Sequence, residues 1–127
     1  MSMQFRAKLI RVVDADTLDV LMDMGCDIWK RERVRLGPNF DAWESRHKSL
    51  EHKALGTEAT LAVRHWLRQY LLTDTGLNEP YLIVHSHEYD RGKYGRLLCD
   101  IEFGTEEFGR TSLITHLRRN GHEKRKL

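Results

Sequence analysis

Two carboxylates stand three residues apart directly after a turn, and an arginine precedes that turn. Arg35 follows Val34 near the end of a strand-like run, residues 37–39 read Gly-Pro-Asn, and Asp41 and Glu44 come next. One such carboxylate can bind a hard cation while the other accepts a proton, and an arginine offers a planar fork to a phosphate. Metal-assisted hydrolysis of a phosphodiester needs these parts. Acidic residues beside a turn more often only solvate a loop, so other segments must decide between the two interpretations.

Two other segments carry side chains of the same chemistry. Asp14 and Asp16 lie in a tight acidic corner, and if Asp16 begins the next strand, its side chain can face the space near Asp41. The loop 88–96 is polar and glycine-rich, and it contains three basic side chains and two tyrosines. Acidic residues are also common in ordinary turns, so the corner alone does not decide the function.

The donor atoms at these positions favour one kind of metal over another. An oxygen-only ligand set suits a hard cation such as calcium better than zinc. His85 and His87 share one strand face and form a separate candidate pair for a transition metal. No third ligand follows at a matching spacing, and the remaining histidines form no recognisable ligand pattern. The sequence therefore gives calcium more support than zinc.

The composition is typical of one globular domain. The chain has 127 residues, of which 40% are hydrophobic and 31% charged, and its net charge is only +2. We expect a single domain over residues 1–127. No apolar run is long enough to span a membrane, and no charged-then-apolar leader opens the chain, so a cytoplasmic protein is expected. Cys26 and Cys99 lie far apart, which predicts two buried thiols in a reducing compartment.

Alternation of apolar and polar residues predicts five strands, at 4–13, 17–24, 28–36, 81–87 and 97–103. Apolar residues at three- and four-residue spacing predict one helix at 54–72, and a second, short helix is expected at 111–119. The segments 45–53 and 104–109 are expected to be an exposed loop and a polar turn. This order predicts a mainly β, α+β fold, namely a five-stranded OB-type barrel with a helix after strand 3.

The motifs in this order resemble those of the staphylococcal nuclease (thermonuclease) family. Residues 14–17, Asp-Ala-Asp-Thr, are similar to its Asp-Gly-Asp-Thr corner. Residues 35–44 run from Arg-Leu to Asp-Ala-Trp-Glu and are similar to its Arg-Leu and Asp-(Thr/Ala)-Pro-Glu turn. Residues 90–97, with Lys-Tyr-Gly-Arg at 93–96, are similar to its Asp-(Lys)-Tyr-Gly-Arg loop. The resemblance covers residues 5–122.

The resemblance implies a nuclease that hydrolyses phosphodiester bonds of DNA, RNA or both with low sequence specificity. The calcium ligands it implies are the carboxylates of Asp16 and Asp41 and the carbonyl of Ala42, with other divalent cations as substitutes. Glu44 would deprotonate the attacking water. The product pattern that it implies is 3′-phosphate ends.

Basic and aromatic side chains would hold the substrate. Arg35 and Arg96 would grip the scissile phosphate, and Arg96 would also stabilise the charge of the leaving 5′ oxygen. Lys93 and Tyr94 would contact the neighbouring phosphate. We expect nucleic acid as the partner and substrate, no membrane association, and a monomer.

Three departures from the family pattern bear on this assignment. Ala15 stands where the corner has glycine, and this would strain the turn if a positive φ is needed. Trp43 stands where proline is usual, so one rigid constraint on the turn is missing. The interval from Arg35 to Asp41 is one residue longer, which makes Arg33, on the same strand face, an alternative phosphate ligand.

Two non-enzymatic interpretations stay open beside the nuclease. A catalytically silent OB module would bind nucleic acid or protein, because function belongs to the site and not to the fold. Such modules typically replace the acidic residues and arginines, and here all of them are present. A structural protein in a larger assembly, with the basic tail 111–127 as its contact, is the third interpretation.

Overall fold

The computed structural model describes residues 2–46, 48–73, 80–91, 96–105, 107 and 109–124, and for Ser2 and residues 87–91 it describes the backbone only. The described elements are six strands, two α-helices and one 3-10 turn. In chain order they are β1 (Ser2–Asp14), β2 (Thr17–Asp23), β3 (Trp29–Leu36), α1 (Leu50–Leu67), the 3-10 turn Arg68–Tyr70, β4 (Leu82–Arg91), β5 (Leu97–Thr105), β6 (Gly109–Ser112) and α2 (Leu113–Arg119).

The strands form a closed mixed barrel that carries one extra strand. The sheet order is β3-β2-β1-β4-β5-β6, and each neighbouring pair is antiparallel. A parallel pairing of β3 with β5, from Val34 opposite Leu97 to Leu36 opposite Cys99, closes the first five strands. The fold is therefore an OB-like α+β barrel with a helix after the third strand and a short C-terminal helix, which confirms the predicted fold class.

The interior of the barrel is filled by the alternate apolar residues that the strand patterns indicated. Leu18, Val20 and Met22 of β2 are fully buried, and the core includes apolar residues from every barrel strand. Helix α1 contributes a buried face to this core. Its buried members are Gly56, Ala59, Thr60, Val63 and Leu67.

Helix α1 begins four residues earlier than the sequence pattern predicts, so the expected loop at 45–53 is wrong for its last four residues. Ser49 has the extended backbone of an N-cap residue, and Glu51 places a negative charge in the first turn, where the helix dipole favours it. The ring of His52 packs on Trp43, with centroids 4.9 Å apart. This tertiary contact stabilises a first turn that has no amphipathic pattern.

Strand β6 occupies part of the segment that was expected to be a polar turn followed by a helix. It pairs with β5 from Glu102 opposite Ser112 to Thr105 opposite Gly109. Helix α2 starts only at Leu113, because the Ser112 hydroxyl accepts a hydrogen bond from the Thr115 backbone N–H at 3.2 Å and caps the helix. The predicted start at Thr111 is therefore two residues early.

The structure also bears on the expectation of two buried thiols and on the expected absence of a membrane-spanning segment. Cys99 is buried, and burial raises the pKa of its thiol, but Cys26 is exposed in the turn between β2 and β3. The prediction of two buried thiols is therefore wrong for Cys26, because a positive-φ turn carries it outside the barrel. Among the residues described, no helix is long and apolar enough to cross a membrane.

Candidate functional site

Four chain segments meet at one end of the barrel, where β3 closes onto β5. The backbone N–H of Leu36 donates to the Asp16 carbonyl at 2.8 Å, which ties the end of β3 to the acidic corner. The N–H of Gly37 donates to the Cys99 carbonyl at 3.0 Å and ties the following turn to β5. Barrel closure therefore brings the acidic corner, the end of β3, the turn after it and the start of β5 to one place.

Arg35 joins the two predicted metal-binding carboxylates. Its Nη2 atom lies 2.9 Å from Asp41 Oδ1 and 3.3 Å from Asp16 Oδ2. Its Nη1 atom donates to the Phe40 carbonyl at 3.4 Å and to the Leu36 carbonyl at 3.2 Å. The segment between Arg35 and Asp41, which is one residue longer than usual, is therefore held against the side chain of Arg35.

The alternative arginine of the same strand lies elsewhere. Arg33 forms a two-point contact with Asp19, with Nε 2.8 Å from Oδ1 and Nη2 3.1 Å from Oδ2. Of the two arginines, the structure therefore brings Arg35, and not Arg33, to the carboxylates of Asp16 and Asp41.

Asp16 is the buried carboxylate of the site, with only 7% of its surface exposed. Thr17 Oγ1 donates to its Oδ1 at 3.0 Å, and the Ala42 N–H donates to its Oδ2 at 3.3 Å. Burial raises the pKa of the Asp16 carboxyl, and the neighbouring Asp41 carboxyl raises it further. Arg35 and the two donors lower that pKa without cancelling the effect of burial.

Arg96 reaches the same corner from the start of β5. Its Nη1 atom lies 3.5 Å from Thr17 Oγ1, the hydroxyl that also contacts Asp16. Thr17 therefore stands between Arg96 and the carboxylates, a role that the sequence analysis did not assign. The signal that could have found it is the position of Thr17 in the Asp-Ala-Asp-Thr motif.

Glu44 lies on an exposed turn whose backbone is firmly held. Ser45 donates to Asp14 Oδ1 through its hydroxyl and, at 3.4 Å, through its backbone N–H. A Cβ atom on Gly56 of α1 would lie 2.1 Å from the Glu44 carbonyl carbon, so the helix touches this backbone directly. Within the described part of the chain, no hydrogen bond or ion pair involves the Glu44 carboxylate.

Gly56 and Asp14 are thus positioning residues that the sequence analysis missed. An isolated glycine inside a helical pattern is a signal for close backbone approach, and Gly56 fits it. Asp14 Oδ1 accepts from Ser45 and so fixes this turn, whereas Asp16 and Asp41 contact Arg35. The predicted substrate residues Lys93 and Tyr94 lie outside the described residues.

The departures from the family pattern cause no local strain. Ala15 is fully buried and is not among the residues with positive φ, so the acidic corner does not need a glycine. Trp43 is 9% exposed and packs on His52, and this contact constrains the turn where the family has proline. The interval of 35–41 contains Asn39 at φ 65°, a left-handed conformation that asparagine tolerates.

A divalent cation fits the donor chemistry of this corner in part. Asp16 and Asp41 supply carboxylate oxygens, and Arg35 contributes one positive charge between two negative ones. The raised pKa of Asp16 marks a buried charge that a hard cation would stabilise. No group of three or more His, Cys, Asp or Glu side chains able to hold a metal occurs in the described part of the chain. Further ligands would therefore have to be backbone carbonyls, such as that of Ala42, or water.

The histidine pair gains no support as a metal site. His85 Nε2 lies 2.8 Å from Glu102 Oε1 on the neighbouring strand, so a carboxylate is its contact. The side chain of His87 lies outside the described residues.

The geometry defines an OB-like barrel that carries a cluster of two carboxylates and two arginines at its closed seam. Comparison of the sequence with models of known protein families gives no match, and comparison with curated proteins gives none either. Membership of the staphylococcal nuclease family therefore stays a prediction based on the motifs.

Proposed function

We propose that this protein is a calcium-dependent nuclease that hydrolyses phosphodiester bonds of nucleic acid and belongs to the staphylococcal nuclease family. The observation that carries the proposal is that Arg35 contacts both Asp16 and Asp41, while Arg96 contacts the hydroxyl of Thr17 beside them. These groups come from three distant segments of the chain. A barrel needs no buried carboxylate in contact with a second one for its stability, because burying charge costs free energy.

The arginines bind and orient the anionic substrate in this proposal. A phosphodiester repels an attacking nucleophile through its negative charge, so cationic donors aimed at the phosphate stabilise the transition state. The described contacts of Arg35 use both of its Nη atoms, which leaves the Nε N–H for a phosphate oxygen. Arg96 is held beside Thr17 and donates to the oxygen that leaves.

Glu44 accepts the proton of the attacking water. Its exposed carboxylate is not engaged by a described donor and is therefore available as a base. Asp16, Asp41 and the carbonyl of Ala42 would hold the calcium ion, which supplies positive charge for the phosphate and the water when it is bound. The turn contacts from Ser45 fix the backbone that carries the base.

A catalytically silent OB module is the second candidate, and one observation favours it. Arg35 already bridges Asp16 and Asp41, so the cluster also satisfies the geometry of a purely structural ion-pair network. In that case the barrel would bind nucleic acid or protein without cleaving it.

A gel assay of single- and double-stranded DNA and RNA separates the two candidates. The wild-type protein is incubated with each substrate in calcium, in magnesium and in chelator, beside the variant Asp41→Asn, which removes one negative ligand. We expect degradation in the calcium lanes, none in chelator, and strongly reduced degradation by the variant.

The control is Asp27→Asn, an exposed carboxylate in the turn between β2 and β3. It should cleave like the wild type. Intact nucleic acid in every lane, together with measurable binding, would replace the nuclease with the silent module.

A further inference from the structure

Strand β3 carries a row of arginines that starts at the candidate site. Arg35, Arg33 and Arg31 alternate with Val34, which is buried, and with Glu32, which is half-buried. Arg33 and Arg31 are exposed, whereas Arg35 is the half-buried residue between the two carboxylates. The row therefore leads from the site along the outside of the barrel.

The spacing of this row suits a polynucleotide backbone. Alternate residues of a β-strand are separated by about 6.6 Å, a distance that one nucleotide of an extended strand can span. Basic grooves that follow the backbone are the usual means by which proteins hold single strands. Because β3 pairs with β2 along residues 29–35 and with β5 at its end, the row is fixed on a rigid element.

The charge around this row is positive in spite of two carboxylates, those of Asp19 and Glu32. Asp19 of β2 pairs in register with Arg33 on one side and with Arg11 of β1 on the other. It occupies Nε and Nη2 of Arg33, and the remaining N–H groups of that guanidinium stay available. Arg11, Arg31 and Arg33 all influence the Asp19 carboxyl and together lower its pKa. The carboxylate of Glu32 also borders this surface, but it lies 3.3 Å from Lys30 Nζ, so Arg11, Arg31, Arg33 and Lys30 outnumber the two carboxylates and the surface is positively charged.

A depression beside the arginines and the residues beyond Arg31 also agree with binding of a nucleic-acid strand. A depression of about 180 Å³ lies at this surface, and it is lined by Ile10, Asp19, Arg31, Glu32 and Arg33. At the far end, Trp29 lies opposite Asp23, whose carboxylate accepts from the Gly25 N–H at 2.9 Å. A carboxylate at that point repels phosphate, so the row ends at Arg31.

We propose that Arg33 and Arg31 bind the phosphates that follow the one held at Arg35, so that a single nucleic-acid strand lies along β3 over three consecutive phosphates. The identity of this ligand rests on the proposed function. The consequence is a protein that selects a strand of several nucleotides over a dinucleotide, because a dinucleotide cannot reach beyond Arg35.

The test measures binding in chelator, where cleavage cannot interfere. Fluorescence anisotropy follows a single-stranded oligonucleotide of eight thymidylates and a dinucleotide, each titrated with wild type and with Arg31→Gln/Arg33→Gln. We expect the double variant to weaken binding of the longer strand roughly tenfold or more, and to make its salt dependence shallower by about 1.4 in log–log slope, or about 0.7 per lost phosphate contact. Dinucleotide binding should change less than about twofold, within the spread of indirect surface effects.

A matched control removes the same charge elsewhere. Arg68→Gln/Arg119→Gln changes two exposed arginines of the 3-10 turn and α2. Equal weakening by the control pair, or equal weakening for both ligand lengths, would overturn the proposal. The single variant Arg31→Gln leaves the pair of Arg33 and Asp19 intact and should show about half the change in slope, so a folding defect cannot imitate the result.

The same experiment separates this inference from the proposed function. If the wild type cleaves in calcium but the double variant binds the strand as tightly as the wild type, the nuclease proposal stands and phosphate binding by Arg31 and Arg33 is rejected. If the double variant weakens strand binding but no ion supports cleavage, phosphate binding by Arg31 and Arg33 is supported and the nuclease proposal is rejected. Row-dependent binding of poly-glutamate as tight as that of the oligonucleotide would reject a nucleic-acid ligand in favour of an acidic protein.

Discussion

Asp16 is a buried carboxylate whose charge its neighbours compensate only in part. Burial raises the pKa of its carboxyl, and the attraction of Arg35 does not offset this. A carboxyl with a higher pKa in the folded than in the unfolded state favours folding when it is protonated. Its contribution is present below the unfolded value and is lost as the pH rises through the folded value. The ionised Asp16 therefore lowers the free energy of unfolding at neutral pH.

Replacing this charge should stabilise the barrel and remove a ligand of the proposed calcium site. We expect Asp16→Asn to raise the free energy of unfolding in chelator by roughly 1 kcal/mol, a typical size for a single substitution. In calcium the order should reverse, because ligand bound to the folded state stabilises the wild type by about 2.7 kcal/mol at a hundredfold excess over Kd. Urea unfolding in both buffers measures this, with Asp27→Asn as control. Equal stabilisation of wild type and Asp16→Asn by calcium would remove Asp16 from the site.

The pair of Arg33 and Asp19 predicts a pH dependence of the opposite sign. The hydrogen bond from Arg33 lowers the pKa of the Asp19 carboxyl, and the charges of Arg33, Arg11 and Arg31 act in the same direction against burial. A lowered pKa stabilises the fold above the unfolded value of about 3.9, and this stabilisation is lost as the pH falls through the folded value.

We expect Arg33→Gln to lower the free energy of unfolding at neutral pH by no more than about 1 kcal/mol, as for other exposed ion pairs. Its difference from the wild type should shrink as the pH falls below about 4, because Asp19 then takes up a proton in the unfolded chain before it does so in the fold. Urea unfolding across this range measures the difference, and Arg68→Gln, which changes an exposed arginine that does not influence the pKa of Asp19, is the control. A difference that stays constant down to acid pH would show that Asp19 is not the partner that matters.

For the individual strands and helices, the spacing of apolar residues predicted the segments that bury one face. It missed the segments that form only through contacts with other parts of the chain. The alternation in β1 and β2 marks their inward residues because one face of each strand lines the core. The first turn of α1 has no such pattern and forms because His52 packs on Trp43. Strand β6 has no fully buried residue and exists because β5 offers it an unpaired edge. Such elements depend on tertiary partners that a local pattern does not contain.

Helix α1 positions the turn of Glu44 through Gly56. A methyl group on Gly56 would lie 2.1 Å from the Glu44 carbonyl carbon and oxygen, so the turn or the helix must move. We expect Gly56→Ala to lower the free energy of unfolding by about 1–3 kcal/mol, as overpacking does, and to lower cleavage more than calcium affinity. Urea unfolding and a calcium titration beside the cleavage assay measure the three effects.

The matched control for Gly56 is Glu58→Ala, which changes an exposed residue of the same helix. It should retain stability within about 0.5 kcal/mol, as surface substitutions usually do. Full cleavage activity in Gly56→Ala would show that the helix does not position Glu44.

For the whole molecule, the sequence predicted the segments of the candidate site but not how they meet. The motifs indicated Asp16, Asp41 and Arg96, which lie far apart in the chain. Closure of β3 onto β5 sets Val34 opposite Leu97 and so carries the start of β5 to the acidic corner. This depends on the long-range pairing of two strands, which no local spacing specifies.

The choice between two arginines likewise needed the closed barrel. Arg33 and Arg35 share one face of β3, so periodicity treats them alike. Their partners distinguish them, since Arg33 lies opposite Asp19 and Arg35 lies within reach of Asp41. The hydrogen bond from Ser45 to Asp14 could not be predicted from local sequence patterns either, because it joins residues 31 positions apart.

In the proposed nuclease, the cluster at the barrel seam cleaves nucleic acid with Glu44 as the base. The most direct measurement is the turnover of a single-stranded oligonucleotide by wild type and Glu44→Gln at saturating calcium, beside the affinity of each protein for the same strand in chelator. Because a positioned base typically contributes 10²–10⁴-fold, we expect turnover to fall by about a hundredfold or more while affinity changes less than about twofold. Unchanged turnover, or turnover and affinity that fall together, would contradict the assignment of Glu44 as the base.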